Sequence, residues 1–162
     1  MILYHGSYTA IEKPNLAFSR EKTDFGKGFY LTALEDQAVR WAERFKEERG
    51  TGVVSAYTFL HRPAVETLSD DVRVLEFNTH SQQWLRFVTD CRLGKTVPEY
   101  DIVIGGVAND KVIQTLQLYF RNIISAREAI KRLRYNKPNF QYCFQTQAVI
   151  DAYIKFTEAR ET

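Results

Sequence analysis

Sulfur is scarce in this chain, with two cysteines and one methionine among 162 residues. Cys91 and Cys143 stand far apart and fit neither a zinc-ligand nor a CxxC spacing, so both are expected as buried free thiols. The three histidines, His5, His61 and His80, are not spaced with any cysteine or aspartate as metal ligands are, and no metal is expected. No apolar run approaches the length that crosses a membrane. The opening "ILYH" is too short for the apolar part of a signal peptide and has no basic stretch ahead of it. A cytoplasmic protein without a membrane partner is the resulting expectation. Charge of one sign is lacking too. The 22 basic and 20 acidic side chains leave +2, too balanced to argue for nucleic acid by bulk electrostatics. Repeats, low-complexity tracts and an obvious linker are also missing. Residues 1–162 therefore read as a single domain, long enough to bury a core without covalent staples.

What is present is a mixture of strand and helix patterns. "ILYH" reads as a first strand, followed by the loop "GSYTAIEKPNLAFSREKTDFGKG" and a second strand "GFYLT". Thr32 and Glu35 have capping-box spacing at the start of "LEDQAVRWAERFKEER", an amphipathic helix with Ala38, Trp41, Ala42 and Phe45 on one face and "GTG" at its end. "VVSAYTFL" and "VRVLEF" have the β-branched and aromatic content of strands. "SQQWLRFVTDCR" has helical spacing, and "YDIVIGG" is a short apolar run closed by glycines, as in a buried strand. "NDKVIQTLQLYFRNI" and "SAREAIKRLRY" read as two helices, the second opened by a capping box from Ser125 and Glu128. "FQYCF" reads as a late strand and "TQAVIDAYIKFTEAR" as a C-terminal helix capped by Thr146. Strands and helices mix without regular βαβ alternation, which predicts α+β rather than a doubly wound sheet.

Two stretches hold the residues that suggest chemistry. "YHGS" places His5, Gly6 and Ser7 at a strand end, where an imidazole and flanking backbone groups can meet a ligand, or where the histidine is simply structural. "GKGFYLT" sets Gly26 and Gly28 around Lys27 and just ahead of Tyr30. Its glycines permit positive φ or close approach of the backbone, but they precede a strand, so it is not a nucleotide-binding glycine loop. Taken in order, "LYHGS", "GKGFYLT" and the helix that follows Tyr30 resemble the ADP-ribosyltransferase superfamily. The resemblance is to the branch shared by poly(ADP-ribose) polymerases, marked by a His–Tyr–acid signature. More narrowly, the chain resembles a small bacterial family of transferase-like proteins often found as toxins beside an antitoxin. "YDIVIGGVANDKV" and "KPNFQYCFQTQ" resemble that family's later motifs, so the likeness runs nearly end to end.

The resemblance implies an α+β split β-sandwich of two small sheets with flanking helices, and NAD as co-substrate. It implies that His5 contacts the adenosine ribose, that the Gly6 backbone and Ser7 meet the nicotinamide amide, and that Tyr30 stacks on the nicotinamide ring. An aromatic face suits a flat cation. Gly26 and Gly28 would let the backbone approach the ligand, with Lys27 near a phosphate. The signature's acid is replaced: "PNFQYCF" offers Gln141 in its place. Glutamine keeps an acceptor oxygen but loses charge and basicity. Gln141 is either an edge-strand amide facing water or, as the resemblance implies, a neutral positioning group that holds the ribose, in which case Gln141→Glu is expected to preserve or raise NAD hydrolysis. The catalytic candidates are thus Gln141, His5 and Tyr30, expected to face one cleft, with Gln145 and Gln147 as the nearest alternatives to Gln141. The dinucleotide-binding candidates are His5, Gly6, Ser7, Gly28 and Tyr30.

The implied acceptor is a macromolecule, protein or nucleic acid, and the implied partner a cognate antitoxin protein. Two other readings stand beside this one. The first is a module that binds NAD or ADP-ribose without turnover. The second is a metal-free ribonuclease using His5 or His61, for which no convincing histidine pair exists. His61 and His80 otherwise read as surface or capping residues, and Asn109 and Asp110 as helix caps or as lining an entrance. Tyr119 and Phe120 fit a helical core. Arg127, Lys131 and Arg134 share a helix face opposite Ala126, Ile130 and Leu133, read as a solvated face or as a nucleic-acid patch that would steer an anionic acceptor.

Overall fold

The apolar opening of the chain forms strand β1 (Ile2–Ser7), which runs through the whole His-Gly-Ser motif instead of ending before it. The structure is a computed structural model that describes residues 1–60, 71–108, 110–134 and 139–162. After β1 come a 3-10 turn (Leu16–Phe18), β2 (Phe29–Thr32), α1 (Glu35–Arg49), β3 (Val53–Phe59) and β4 (Val74–Glu76). Then follow α2 (Gln82–Arg92), β5 (Ile102–Gly106), α3 (Asp110–Phe120), α4 (Ala126–Leu133), β6 (Phe140–Phe144), α5 (Gln147–Tyr153) and β7 (Ile154–Glu161). The class is α+β. No helix among the described residues is long and apolar enough to cross a membrane.

The described strands do not form two small sheets. They join one mixed seven-stranded sheet in the order β4-β5-β6-β2-β1-β3-β7, with β4 and β5 parallel. The sheet is nevertheless thin at its middle. β1 and β2 share a single register pair, Tyr4 with Thr32, whereas β1 and β3 share six and β2 and β6 share four. Beyond that pair β1 stays with β3 as far as Ser7, and β2 begins on β6 at Phe29. Each strand follows the partner with which it has the longer ladder, so the two part company.

Pleating sends alternate side chains to opposite faces. Leu3, Phe29, Leu31, Tyr57 and Phe144 cluster on one face with Val149 and Ile150 of α5. On the other, Cys143 and Val103 pack against Trp84, Val88, Val112, Leu116 and Leu133 from α2, α3 and α4. Ala38 and Ala42 of α1 cover Val54 there. Their small side chains bring the helix so close that a Cβ on Gly6 would lie 2.1 Å from the Ala38 carbonyl oxygen and 2.7 Å from the Ala42 nitrogen. Both cysteines are buried and free, and burial pushes each thiol up to about 12.

Two helix-end expectations fail. Leu34, not Thr32, precedes α1 without a side-chain cap bond. The Thr32 hydroxyl instead donates to Gln37 Oε1 at 3.1 Å and accepts from the Leu34 N–H at 3.1 Å. Ser125 does cap α4, accepting from the Glu128 N–H. At the C-terminal end the Thr146 hydroxyl donates to Asp101 Oδ1 and makes no cap bond. The helix ends at Tyr153, and seven of the next eight residues pair with β3 from Phe59 to Val53, Thr157 falling at a bulge. Apolar spacing through Val149, Ile150, Tyr153 and Ile154 is helical. The unpaired edge of β3 overrides that local pattern beyond Tyr153, and Phe156 packs edge-on against Tyr57 at 5.9 Å.

Candidate functional site

Where β1 and β2 separate, the strand ladder leaves backbone groups without strand partners, and a side chain replaces one of them. His5 Nδ1 donates to the main-chain carbonyl of Tyr30 at 2.8 Å. A carbonyl can only accept, so Nδ1 holds the proton and a neutral ring keeps its lone pair on Nε2. Burial holds the imidazole below its ordinary pKa against the opposing pull of that hydrogen bond, and the Arg20 cation acts in the same downward direction. The ring rests on Phe29 at 4.8 Å, and Nε2 has no partner among the described residues. This is a half-buried hydrogen-bond acceptor at the place where the two strands part.

The glycines around the gap serve the packing as well. Gly6 lies directly under the α1 backbone. At Gly28 a Cβ would fall 2.3 Å from Cys143 Sγ and 3.0 Å from the Phe144 carbonyl oxygen, so β2 can enter beside β6 only with glycine there. Gly26 has φ +80, the left-handed region that glycine adopts without cost. Ser7 is buried, and its hydroxyl has no partner among the described residues. Lys27 is exposed at the turn, beside Gly28.

Tyr30 is anchored at its far end. Its hydroxyl donates to the Gly26 carbonyl at 2.6 Å, accepts from the Phe25 N–H at 3.0 Å and lies 2.7 Å from the Thr23 hydroxyl. Burial pushes the phenol well above its ordinary value. The half-buried ring lies nearly parallel to Phe25, 6.4 Å away. Tyr30 therefore organises the turn that precedes β2, whatever else its ring contacts.

Gln141 lies on the same face as Tyr30, because β6 pairs Gln141 with Thr32 and Cys143 with Tyr30. It is only 3% exposed, and its Nε2 donates to Asp24 Oδ2 at 2.9 Å. Asp24, from the loop before β2, is 7% exposed. Arg92 of α2 donates to its Oδ1 through Nε at 2.9 Å and also through Nη2, and the Ala108 N–H donates to Oδ2 at 3.1 Å. Sequence reasoning missed this acid and its arginine. The only local signal was an aspartate in an otherwise polar loop, and its partners are far away along the chain.

The three catalytic candidates are thus gathered at the split but not on one surface. The pleat puts His5 with Leu3 and Phe29 on one face and Tyr30 with Gln141 on the other. His5 reaches the others only by bonding the Tyr30 backbone across the opening. Gln145 and Gln147 clamp the β1–β2 loop. Gln145 Nε2 donates to the Phe25 carbonyl, while Gln147 accepts from the Leu16 N–H at 3.1 Å and donates to the Pro14 carbonyl at 3.0 Å.

His80 is not a surface or capping residue. It is 6% exposed, packs edge-on against Trp84 at 4.5 Å, and neither ring nitrogen has a hydrogen-bond partner among the described residues. Burial lowers its pKa, although the Leu133 backbone and Asp24 pull the other way. Asp110 opens α3; Asn109 and His61 lie outside the described residues. Tyr119 and Phe120 are half-buried against the α2–α4 core. On α4 and just past it, Lys131 and Arg134 are exposed.

A family model described as "Protein of unknown function (DUF3990)" matches residues 1–156. No curated protein and no solved structure matches the chain.

Proposed function

The chain belongs to the DUF3990 family, and we propose that it is an NAD-dependent ADP-ribosyltransferase acting on a protein or nucleic-acid acceptor. The observation that carries this reading is the split sheet, a single register pair joining β1 to β2 with His5 standing in the opening. The order of His5, Gly6, Tyr30 and Gln141 along the chain, which resembles the transferase signature, supports it. So do three polar groups without protein partners among the described residues, namely His5 Nε2, the Ser7 hydroxyl and Gln141 Oε1. Each suits a ligand rich in hydroxyl and amide groups.

In the proposed reaction the bond from ribose C1′ to the nicotinamide nitrogen breaks, and nicotinamide leaves with the bonding pair. The acceptor's nucleophile bonds to C1′ and releases its proton to solvent water. Because His5 and Ser7 lie on the face opposite Tyr30 and Gln141, the dinucleotide must thread the split: His5 Nε2 accepts from the adenosine ribose, Gly6 and Ser7 meet the nicotinamide amide at the opening, and the Tyr30 ring lies along the nicotinamide. Gln141 Oε1 accepts from a hydroxyl of the reacting ribose. Gln141 carries no charge and Asp24 is already paired with Arg92. The site thus orients the sugar and leaves nucleophilicity to the acceptor. A protein antitoxin that covers the opening is the proposed partner.

The test is incubation with adenylate-labelled NAD and cell lysate, followed by separate protease and nuclease digestion of labelled product. Transfer of label matched by nicotinamide release, both lost in His5→Ala, is the expected result. The neutral Gln141 favours one second reading, an NAD-binding module without turnover. Calorimetric NAD binding with no nicotinamide release from any lysate fraction would select that module. Absence of NAD binding would remove both.

A further inference from the structure

The Gln141 amide is oriented by its neighbour. A carboxylate held by an arginine only accepts, so the amide must turn its NH₂ toward Asp24 and has only Oε1 left to offer. Resting on the transferase reading, we propose that Asp24 is the positioning residue of this site. Held by Arg92, it fixes Gln141 as an acceptor of a ribose hydroxyl and makes glutamine, not glutamate, the residue that fits there.

Distance decides the matter. Asp24 Oδ2 and the Gln141 side-chain nitrogen are 2.9 Å apart in a buried site. Gln141→Glu would place a second carboxylate at that separation, where two like charges cannot both ionise. Protonated, the new acid would imitate glutamine, its O–H donating to Asp24 and its carbonyl remaining free. Ionised, it would repel Asp24 and lose its place. Restoring the acid of the transferase signature therefore reduces function as pH rises, the reverse of the expectation drawn from the sequence. The isosteric reversal is Asp24→Asn with Gln141→Glu. The new amide at position 24 then donates to an ionised carboxylate at position 141, and its oxygen still accepts from Arg92, while the Ala108 N–H loses its acceptor. The other titratable groups that sense Asp24 are His80, Cys91 and Cys143. With Arg92 they are present in every variant, but D24N removes their coupling to Asp24, so Q141E is compared with wild type and D24N/Q141E with D24N.

The experiment measures nicotinamide release and urea midpoint between about pH 5 and 9 for wild type, Q141E, D24N and D24N/Q141E. Q141E should release nicotinamide near the wild-type rate at low pH and lose about tenfold or more as pH rises. Its urea midpoint should fall over the same range, because the folded protein holds a proton that the unfolded chain releases. D24N alone lets the amide flip and should lose release at every pH. The double variant should remove the basic limb from both readouts. A Q141E protein that matches or exceeds wild type at pH 8, or a double variant that leaves the limb in place, overturns the proposal. If no variant releases nicotinamide at any pH, the transferase reading fails. A limb in the Q141E urea midpoint that D24N removes would then still establish the Asp24–Gln141 arrangement, and its absence would overturn it.

Discussion

Gly6→Ala tests whether the glycine of the His-Gly-Ser motif is there for the fold. The added Cβ would meet the Ala38 carbonyl oxygen at 2.1 Å, the Ala42 nitrogen at 2.7 Å and Trp41 Cβ at 2.9 Å. The first two are helix backbone and cannot swing aside as a flexible side chain would. α1 must shift outward as a body, uncovering Ala38 and Ala42, both fully buried, and loosening Val54. Overpacking costs typically 1–3 kcal/mol, and rigid neighbours put this case at the top of the range, about 3 kcal/mol. Against a total of roughly 5–15 kcal/mol that is a large share of the stability of a domain. Urea unfolding followed by tryptophan fluorescence reads it directly, since Trp41 lies on α1 and Trp84 is buried under the opposite half of the sheet. Gly50→Ala is the control. Gly50 has φ +83 and open space around it, so only conformational strain of about 1 kcal/mol is expected. A Gly6→Ala protein within about 0.5 kcal/mol of wild type, or one no worse than Gly50→Ala, would refute the packing argument. The variant also bears on function: lost activity in Gly6→Ala indicates a ligand contact only if stability is retained.

Tyr30→Phe keeps the ring and removes the hydroxyl that ties Thr23, Phe25 and Gly26 together. Stability should fall by about 1–3 kcal/mol through the unpaired groups left behind, while calorimetric NAD affinity stays within about twofold if only the ring meets the ligand. A larger loss of affinity in a folded variant would move the contact to the hydroxyl. Burial lowers the pKa of both His5 and His80. Below the unfolded imidazole value of about 6.5 the unfolded chain binds more protons, so stability is full above that pH and falls as pH drops toward the folded values. His80→Phe fills the same space against Trp84 without two unpartnered nitrogens; it should hold or raise stability at pH 7 and reduce the acid loss. Urea midpoints that do not change between about pH 7.5 and 5.5 would contradict the burial argument.

Local pattern was enough for much of this protein. β-branched, aromatic and short apolar runs located β3, β5 and β6, which are buried on both faces, and 3.6-residue spacing located the helices α1, α2 and α4. Motif order alone singled out His5, Gly6, Tyr30 and Gln141. Strand order was not contained in that pattern, nor was the single register pair that splits the sheet, since both depend on which ladders compete at the centre. The change from helix to strand after Tyr153 depended on an edge of β3 that no local window includes. The decisive neighbour of Gln141 lies 117 residues away in the chain, and the arginine that holds it lies 68 residues from Asp24. Periodicity reports that a side chain is buried; only tertiary packing decides which charges and amides are buried together, and hence which end of a glutamine is engaged.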